Sequence, residues 1–416
     1  MDGPESGKIA AVVRRAVGIL ALALVGCASP VVSRPDGPNA DEYGARDGYP
    51  VAAINRPKFF VGAFTHYDGL FEARRISRAA RPSRLRRAAV EPDVRYEYEG
   101  ATRTIDDYLA RNPATGLLIA RGDTILVERY QYGRNDRHRF ASFSMAKTVV
   151  AMLTGIAMAE GRIRSLDDVA GTYVPALATT EYGRTSLRHL LEMSSGVRFT
   201  ETHAGNDDLL RLYVHTVGQS GPGGVEALRP YNERLRTSGT RFSYASAETY
   251  VLGLVLRSAV GRPVADYFRE KIWEPIGAEA DASWIVDESG QEVTFCCLNA
   301  VLRDYGRLGA LLAHDGRIGK RQIIPEAWLR AVTTVPAESW HLKPYAATSF
   351  YGYGYQTWIF PGARRVFALL GAHGQAMFVD PASRLVMVHT AVSKDPNDRN
   401  VEARALWQAL VDRVGR

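Results

Sequence analysis

The sequence predicts an α/β (α+β) fold in which one antiparallel sheet is built from both ends of the catalytic chain, flanked by helices, with an inserted helical lobe. The first observation is a β-hairpin pattern, in which the apolar runs Thr115–Ala120 and Thr124–Tyr130 flank a glycine-containing turn. The second is the return of strand patterns near the C-terminus, at Gln356–Ile359, Arg365–Leu370, Ala376–Val379 and Leu385–Thr390. The third is helical periodicity in the intervening and closing segments, at Ser144–Glu160, Ser186–Met193, Ser246–Val260, Ala300–Ala313 and Val401–Val414. A cleft between the sheet and the helical lobe is then the expected active site.

Length and composition permit one large enzyme domain, which we place at residues 96–416. With 46% hydrophobic residues among 416, the chain can bury a sizeable core. The patterns His-Glu-x-x-His, Cys-x-x-Cys and Gly-x-Ser-x-Gly are absent from the sequence. Their absence argues against a zinc enzyme and against an α/β-hydrolase triad, so we expect no metal and no cofactor.

Residues 1–27 have the features of a bacterial lipoprotein signal peptide. Basic residues precede a short apolar stretch, Ala16–Val25, which is too short to span a bilayer and ends in Leu24-Val25-Gly26-Cys27. This tetrapeptide resembles a lipobox, whose cysteine is acylated and becomes the mature N-terminus. We therefore expect an exported protein, lipid-anchored through Cys27 on the periplasmic face of a bacterial membrane, with the outer membrane preferred. The alternative is an ordinary secretory signal in which Cys27 is incidental.

Residues 28–95 are predicted to form a tether and a basic N-terminal extension. The stretch Ala28–Pro50 is rich in Pro, Gly and Asp and is typical of a flexible tether. The run Lys58–Phe64 is apolar and is read as a short extended segment. Between Arg74 and Arg87 the chain has seven arginines and no acid, which fits either a patch on anionic lipid or a solvated linker. Nucleic acid is not an expected partner of an exported protein.

Three cysteines are too few for a disulfide framework. Apart from Cys27 they are the adjacent pair Cys296 and Cys297. A bond between adjacent cysteines constrains the intervening peptide, so two buried thiols are the favoured state.

The most informative motif is Ser144-Met145-Ala146-Lys147, at the start of an almost entirely apolar helix. Residues three apart on a helix project from the same face, so the Lys147 amine can reach the Ser144 hydroxyl and make it nucleophilic. A helix that is apolar all round belongs inside a domain, where a lysine must be paired or lose its proton. The spacing therefore predicts a serine nucleophile with a lysine partner.

Two later segments complete a pattern with this motif. Tyr244 lies in a loop directly before the helix that begins at Ser246, and Gly371-Ala372-His373-Gly374-Gln375 lies between two predicted strands. Ser-x-x-Lys, then a tyrosine, then a glycine-rich strand end, in that order, resembles the serine β-lactamase and penicillin-binding-protein superfamily. The likeness is greatest to its class C-like branch, which includes the 6-aminohexanoate-dimer hydrolases, and it implies a β-lactamase-like fold.

The resemblance also implies roles for individual residues. Ser144 would be the nucleophile, Lys147 and Tyr244 the pair that handles protons, and the backbone N–H groups of Ser144 and Ala372 the oxyanion hole. Tyr244, partly ionised beside the Lys147 ammonium, is expected to be the general base that takes the Ser144 proton; neutral Lys147 is the alternative, and the sequence does not decide between them. The positions expected to bind substrate are Ser246, His373, Gly374 and His203.

The function that follows is a serine hydrolase that forms an acyl-enzyme on ester or amide bonds of small substrates. Family members that act on penicillin usually have Asn where this chain has Ser246, and Lys-Thr-Gly where it has Ala372-His373-Gly374. Antibiotic hydrolysis is therefore not the first expectation. A cell-wall DD-peptidase or β-lactamase, and a non-catalytic binding lipoprotein of the same fold, remain as alternatives. The oligomeric state is left open.

Overall fold

The computed structural model describes residues 33–34, 37–43, 56–203, 205–218 and 220–415. The predicted signal peptide with Cys27, and most of the predicted tether, lie outside the described residues. Among the helices within those ranges, none combines the length and the apolar character that a membrane crossing requires.

Seventeen strands occur in the described part of the chain. In chain order they are β1 (Ser33–Arg34), β2 (Ala73–Ile76), β3 (Arg86–Arg87), β4 (Arg95–Tyr98), β5 (Ala101–Thr104), β6 (Ala114–Arg121), β7 (Thr124–Gln131), β8 (Arg139–Ala141), β9 (Ala282–Ile285), β10 (Leu298–Val301), β11 (Arg317–Ile318), β12 (Arg321–Gln322), β13 (Gly352–Tyr353), β14 (Trp358–Ile359), β15 (Phe367–Gly371), β16 (Gln375–Asp380) and β17 (Leu385–Ala391).

Thirteen α-helices are described, the longest of which match the sequence-based expectations closely. They are α1 (Ala40–Tyr43), α2 (Phe60–Phe64), α3 (Tyr67–Leu70), α4 (Ile105–Arg111), α5 (Ala146–Ala159), α6 (Ala170–Tyr173), α7 (Leu187–Leu191), α8 (Asp208–His215), α9 (Ser246–Val260), α10 (Val264–Phe268), α11 (Leu302–Ala313), α12 (Glu326–Val332) and α13 (Val401–Val414).

The main sheet joins the two ends of the catalytic chain, as predicted. Its order is β1-β7-β6-β17-β16-β15-β14-β13, and β6 pairs antiparallel with β17, so that the N-terminal hairpin adjoins the C-terminal strands. All pairings from β7 to β13 are antiparallel, whereas the short strands β1 and β3 pair with β7 in parallel. The fold class is confirmed, and the sheet is mixed at one edge rather than antiparallel throughout.

Helices cover both faces of this sheet, which is why its central strands are buried along nearly their whole length. Successive side chains alternate between the faces. Leu118 and Val386 pack in the larger core with α11, while Leu117 and Met387 pack in a second core with α13. Helix α11 approaches β17 closely, because a Cβ on Gly309 would lie 2.4 Å from a methyl group of Val386.

The helical lobe is built around α5 and α9, which pack against each other, with α6 and α7 against α9. Helix α5 is buried on all sides over most of its length. Its apolar sequence therefore indicated correctly that it lies inside the domain. Both helices begin at the cleft, and this brings the Ser144 motif next to Tyr244.

Two expectations about local structure are wrong. The run Lys58–Phe64 is helical rather than extended: a 3₁₀ turn at Pro57–Phe59 leads into α2. Burial of Phe60 and Phe64 against the domain, which the local pattern does not reveal, decides the conformation. Ala300 also lies in β10, paired with Phe140, so α11 begins at Leu302 rather than at Ala300.

The arginine-rich segment is part of the fold. Strand β2 pairs with β9, and β3 pairs with β7. Four of its arginines form ion pairs with acids of the catalytic region, namely Arg74 with Glu292, Arg75 with Asp281, Arg86 with Asp123 and Arg87 with Glu128. The segment is thus an ordered, paired edge rather than a solvated linker, and contact with anionic lipid stays a prediction.

The expectation of two free thiols is also wrong, because the structure joins Cys296 and Cys297 in a disulfide. The bond lies in a buried turn directly before β10, where Cys297 has a φ of 72°. The indole of Trp284 donates a hydrogen bond to the carbonyl of Cys296 at 2.8 Å. The surrounding packing therefore holds a peptide conformation that local sequence preference disfavours.

Candidate active site

The Ser144 motif lies on a 3₁₀ turn, Phe143–Met145, that continues directly into α5. Lys147 is in the first turn of that helix and is only 2% exposed. Its Nζ lies 2.9 Å from Ser144 Oγ, 3.0 Å from Ser246 Oγ and 2.8 Å from the carbonyl oxygen of Phe295. The predicted contact between lysine and serine is therefore present.

The surroundings of Lys147 make it easier to deprotonate than an exposed lysine. Burial lowers the pKa of Lys147 to about 8, and the negative charge of Glu201 partly opposes this shift. The Phe295 carbonyl can only accept, and Ser246 Oγ accepts as well, because its single proton goes to Glu201 Oε1 at 2.9 Å. A neutral amine has two N–H groups for these two acceptors, which leaves its lone pair for the Ser144 hydroxyl.

Tyr244 reaches the same serine from the loop directly before α9. Its hydroxyl is close enough to the Ser144 side chain to affect its own pKa, and its ring stacks on Trp358 with centroids 5.4 Å apart. The Nζ of Lys147 lies 5.0 Å from the centroid of the Tyr244 ring. Burial raises the pKa of Tyr244, the Glu201 charge raises it further, and the hydrogen bond with Ser144 lowers it only in part. The phenol is therefore protonated at neutral pH, which favours a proton-donating role over a basic one.

Glu201 is the residue that sequence reasoning missed. It accepts hydrogen bonds from the backbone N–H of Ser246 at 2.6 Å and from Ser246 Oγ at 2.9 Å, so it fixes the start of α9 beside Lys147. Glu201 belongs to no motif and is separated from Lys147 by a long stretch of chain. Only the packing of its loop against α9 brings it into the site.

The strand end that carries Ala372 runs beside the nucleophile. A Cβ on Gly371 would lie 2.5 Å from the carbonyl oxygen of Ser142 and 3.1 Å from Phe143 Cβ, so only glycine permits this approach. Ala372 follows at once, in a short turn between β15 and β16. Ser144 and Ala372 line the same cleft, as two residues of an oxyanion hole must.

The cleft over Ser144 has a volume of about 710 Å³. Of the four positions expected to bind substrate, His203 lines it. Ser246 is 1% exposed and belongs to the hydrogen-bond network beneath Lys147. His373 lines a second, smaller cavity, and the buried Gly374 is not among the described residues that line either one. The charged residues that line the larger cleft are Glu201, Asp398, Arg399 and Arg404.

Comparison with known proteins gives the family of the chain. Residues 101–411 match the Beta-lactamase family model. The chain belongs to the Beta-lactamase family. A 6-aminohexanoate-dimer hydrolase from Paenarthrobacter ureafaciens is 24% identical over 318 residues, which are 74% of this chain and 81% of the relative. The predicted superfamily is thereby confirmed.

Solved structures of the family share the fold. A Bacillus anthracis protein proposed to be a 6-aminohexanoate-dimer hydrolase superposes with a TM-score of 0.77 at 22% identity, over 91% of this chain and 97% of the other. The hydrolase EstCE1, described as having promiscuous acyltransferase activity, gives a TM-score of 0.57 at 16% identity, over 72% and 94% of the two chains. A penicillin-binding-protein homologue from Caulobacter crescentus gives 0.54 at 17% identity, over 73% and 93%. The family and its members are hydrolases of the β-lactamase fold.

Proposed function

We propose that this protein is a serine hydrolase that cleaves ester or amide bonds of small substrates through an acyl-enzyme on Ser144. The observation that carries the proposal is the contact of Lys147 Nζ with Ser144 Oγ at 2.9 Å, together with the burial that lowers the pKa of that lysine. A lysine whose pKa is lowered towards neutrality, beside a serine that lines a cleft, is the arrangement that activates a hydroxyl. Hydrolases among its relatives support the same reaction class.

In the proposed mechanism Lys147 is the general base. It takes the Ser144 proton as Oγ bonds to the substrate carbonyl carbon, and the oxyanion is stabilised by the N–H groups of Ser144 and Ala372. Collapse of this intermediate breaks the bond to the leaving group, which receives a proton from Tyr244, and Lys147 returns the proton to Tyr244. Water then attacks the acyl-enzyme with the same pair reversing these steps, which releases the acid and restores Ser144.

Ser246 and Glu201 act as positioning residues in this proposal. Ser246 Oγ accepts from Lys147 and donates to Glu201, so the amine is held with its lone pair toward Ser144. The Glu201 carboxylate also stabilises the ammonium that forms when Lys147 takes the proton, since it raises the pKa of that lysine. Ser246 therefore has a role in proton transfer that replaces the substrate contact expected from the sequence.

The test of the proposal is the turnover of p-nitrophenyl acetate by the wild type and by Ser144→Ala. Loss of a covalent nucleophile should lower kcat by about three or more orders of magnitude, and a fluorophosphonate probe should label the wild type but not the variant. Ser220→Ala, an exposed serine outside the cleft, is the matched control. Activity of Ser144→Ala within about tenfold of the wild type would rule out the assignment. Adding a β-lactam and a D-Ala-D-Ala peptide to the substrate panel separates the esterase and amidase proposal from its two enzymatic alternatives.

Anchoring at Cys27 on the periplasmic face of a bacterial membrane is proposed from the sequence. Mass spectrometry of the mature protein should find an acylated N-terminal Cys27, and the protein should partition with membranes. Cys27→Ser should release it into the soluble fraction, because the acylated thioether can then not form. An unmodified N-terminus downstream of residue 27 would contradict this prediction.

A further inference from the structure

A second cavity, of about 320 Å³, is lined by Phe143 of the nucleophile turn and by Ala372. Three residues, His203, Ala372 and Pro396, line both cavities, so the two meet at the oxyanion-hole residue. A substrate whose carbonyl oxygen points at Ala372 can thus extend into each cavity from its reacting carbon. The smaller cavity is called here the aromatic pocket.

The walls of the aromatic pocket are mostly apolar rings and leucines. They include Phe60, Phe64, Tyr67, Phe143, Leu209 and Tyr213. The first three come from the N-terminal segment, which precedes the residues 101–411 that match the family model. This chain therefore closes one side of its active site with a segment that the family model does not include.

His373 lines the aromatic pocket with a neutral imidazole ring. Its ring packs against Phe60, Phe64 and Phe143, with centroids 4.9, 5.0 and 5.5 Å away. Its Nδ1 lies 2.8 Å from the carbonyl oxygen of Ser393, which makes Nδ1 the protonated nitrogen. Burial lowers the pKa of His373 to about 4, so the imidazole is neutral at physiological pH.

The charged groups at this pocket are engaged with other residues. Lys394 forms an ion pair with Glu42. Asp207 caps α8 through the N–H of Leu210 at 3.0 Å and also accepts from the N–H groups of Thr202 and His203. Neither group needs a ligand charge for compensation, so the pocket is suited to an apolar group.

The position of Tyr244 decides which part of a substrate enters each cavity. Tyr244 lines the larger cleft and is not among the described residues that line the aromatic pocket. In the proposed mechanism its hydroxyl protonates the leaving group, which must then lie in the larger cleft. The acyl group, on the opposite side of the carbonyl carbon, is left facing the aromatic pocket.

Building on the proposed function, we infer that the aromatic pocket is the acyl-group subsite and that the enzyme prefers esters or amides of apolar, medium-chain or aromatic carboxylic acids. A volume of about 320 Å³ accommodates a chain of several carbons or one ring. Each methylene that leaves water on entering the pocket should raise kcat/KM roughly threefold to fourfold. Butyryl esters should therefore exceed acetyl esters by about tenfold at the same leaving group.

The experiment measures kcat/KM for p-nitrophenyl acetate, butyrate and hexanoate with the wild type, Leu210→Trp and Val214→Trp. Both side chains are on the same face of α8 and comparably exposed, at 38% and 42%, but only Leu210 lines the aromatic pocket. An indole at position 210 fills the pocket mouth. Leu210→Trp should lower the ratio of kcat/KM for hexanoate to kcat/KM for acetate by about tenfold or more, whereas Val214→Trp should leave both values as in the wild type. Acetate turnover also reports that each variant is folded.

The possible outcomes are distinct. If acetate is hydrolysed but kcat/KM does not change with acyl length, the acyl-subsite assignment is overturned while the proposed hydrolase stays intact. The same holds if the two tryptophan variants have equal effects. If no ester of the series is hydrolysed, including acetate, the proposed function fails and the subsite assignment fails with it. A chain-length preference that Leu210→Trp alone removes would establish the subsite.

Discussion

The two cavities beside Ser144 differ in composition, and they differ in origin. The larger cleft contains the titratable groups Tyr244 and Glu201, and its lining residues all lie within the span 101–411 that matches the family. The aromatic pocket is lined mostly by apolar side chains, and four of its lining residues, Pro57, Phe60, Phe64 and Tyr67, belong to the N-terminal segment. Under the proposed roles, the residues that cleave the bond all lie within the span 101–411, whereas part of the acyl-group subsite comes from the N-terminal segment. Changes in the cleft should therefore affect the rate with every substrate, and changes in the N-terminal segment should affect stability and selectivity.

The largest effects are expected from the proton-handling pair. Lys147→Ala and Tyr244→Phe should each lower kcat by about two or more orders of magnitude, because one removes the base and the other the donor to the leaving group. The double variant should be little worse than either single one, since the two groups serve one proton transfer. Steady-state kinetics with p-nitrophenyl acetate measures all three variants.

The control for hydroxyl removal is Tyr345→Phe, at an exposed tyrosine outside the cleft. It should leave kcat unchanged. Strictly additive losses for Lys147 and Tyr244 would mean that the residues act independently. A rise in KM alone for Tyr244→Phe would make this tyrosine a binding residue.

An intermediate effect, on stability, is expected where the N-terminal segment pairs with the domain. Arg74 Nε donates to the fully buried carboxylate of Glu292 at 2.8 Å, whereas the side chain of Arg75 is 74% exposed beside Asp281. Arg74→Ala leaves a buried charge without its partner and should lower the free energy of unfolding by about 2 kcal/mol. Arg75→Ala should cost less than about 1 kcal/mol. Urea titration followed by fluorescence measures the free energy of unfolding of both variants. Equal losses of stability would show that burying the Glu292 charge does not require its ion pair with Arg74.

The smallest effect is a shift in the pH profile. With Lys147 as base, kcat/KM should rise with pH through about 8, because the amine must lose its proton to act. Glu201 raises the pKa of Lys147 by its negative charge, so Glu201→Gln should lower that pKa and move the rising limb to lower pH. The plateau rate should fall less than about tenfold, since Ser246 can still accept from Lys147.

Glu233→Gln, at an exposed acid paired with Arg198, is the matched control for the loss of a carboxylate. It should leave the profile in place. A profile that falls between pH 7 and 9, or one that Glu201→Gln moves upward, would exclude neutral Lys147 as the base.

Local spacing determined much of the fold and of the site. The hairpin β6–β7, the helices α9 and α13, and the start of α5 at Ser144 follow from apolar periodicity and turn residues, which act over a few neighbouring positions. The Ser144–Lys147 contact follows for the same reason, because residues three apart on a helix share a face. The resemblance of the ordered motifs then led to the family that the comparison confirmed.

Features that depend on contacts between distant parts of the chain were decided by the tertiary structure alone. The helical form of residues 57–64 could not be read locally, because it depends on burial of its aromatic side chains against the rest of the domain. The disulfide between Cys296 and Cys297, which lies in a buried turn, was not predicted from the local sequence either. Glu201 reaches Ser246 only through the packing of a loop on α9. The choice between Lys147 and Tyr244 as base was open in the sequence for the same reason. A pKa depends on desolvation and on nearby charges in three dimensions, and these lower it for the lysine and raise it for the tyrosine.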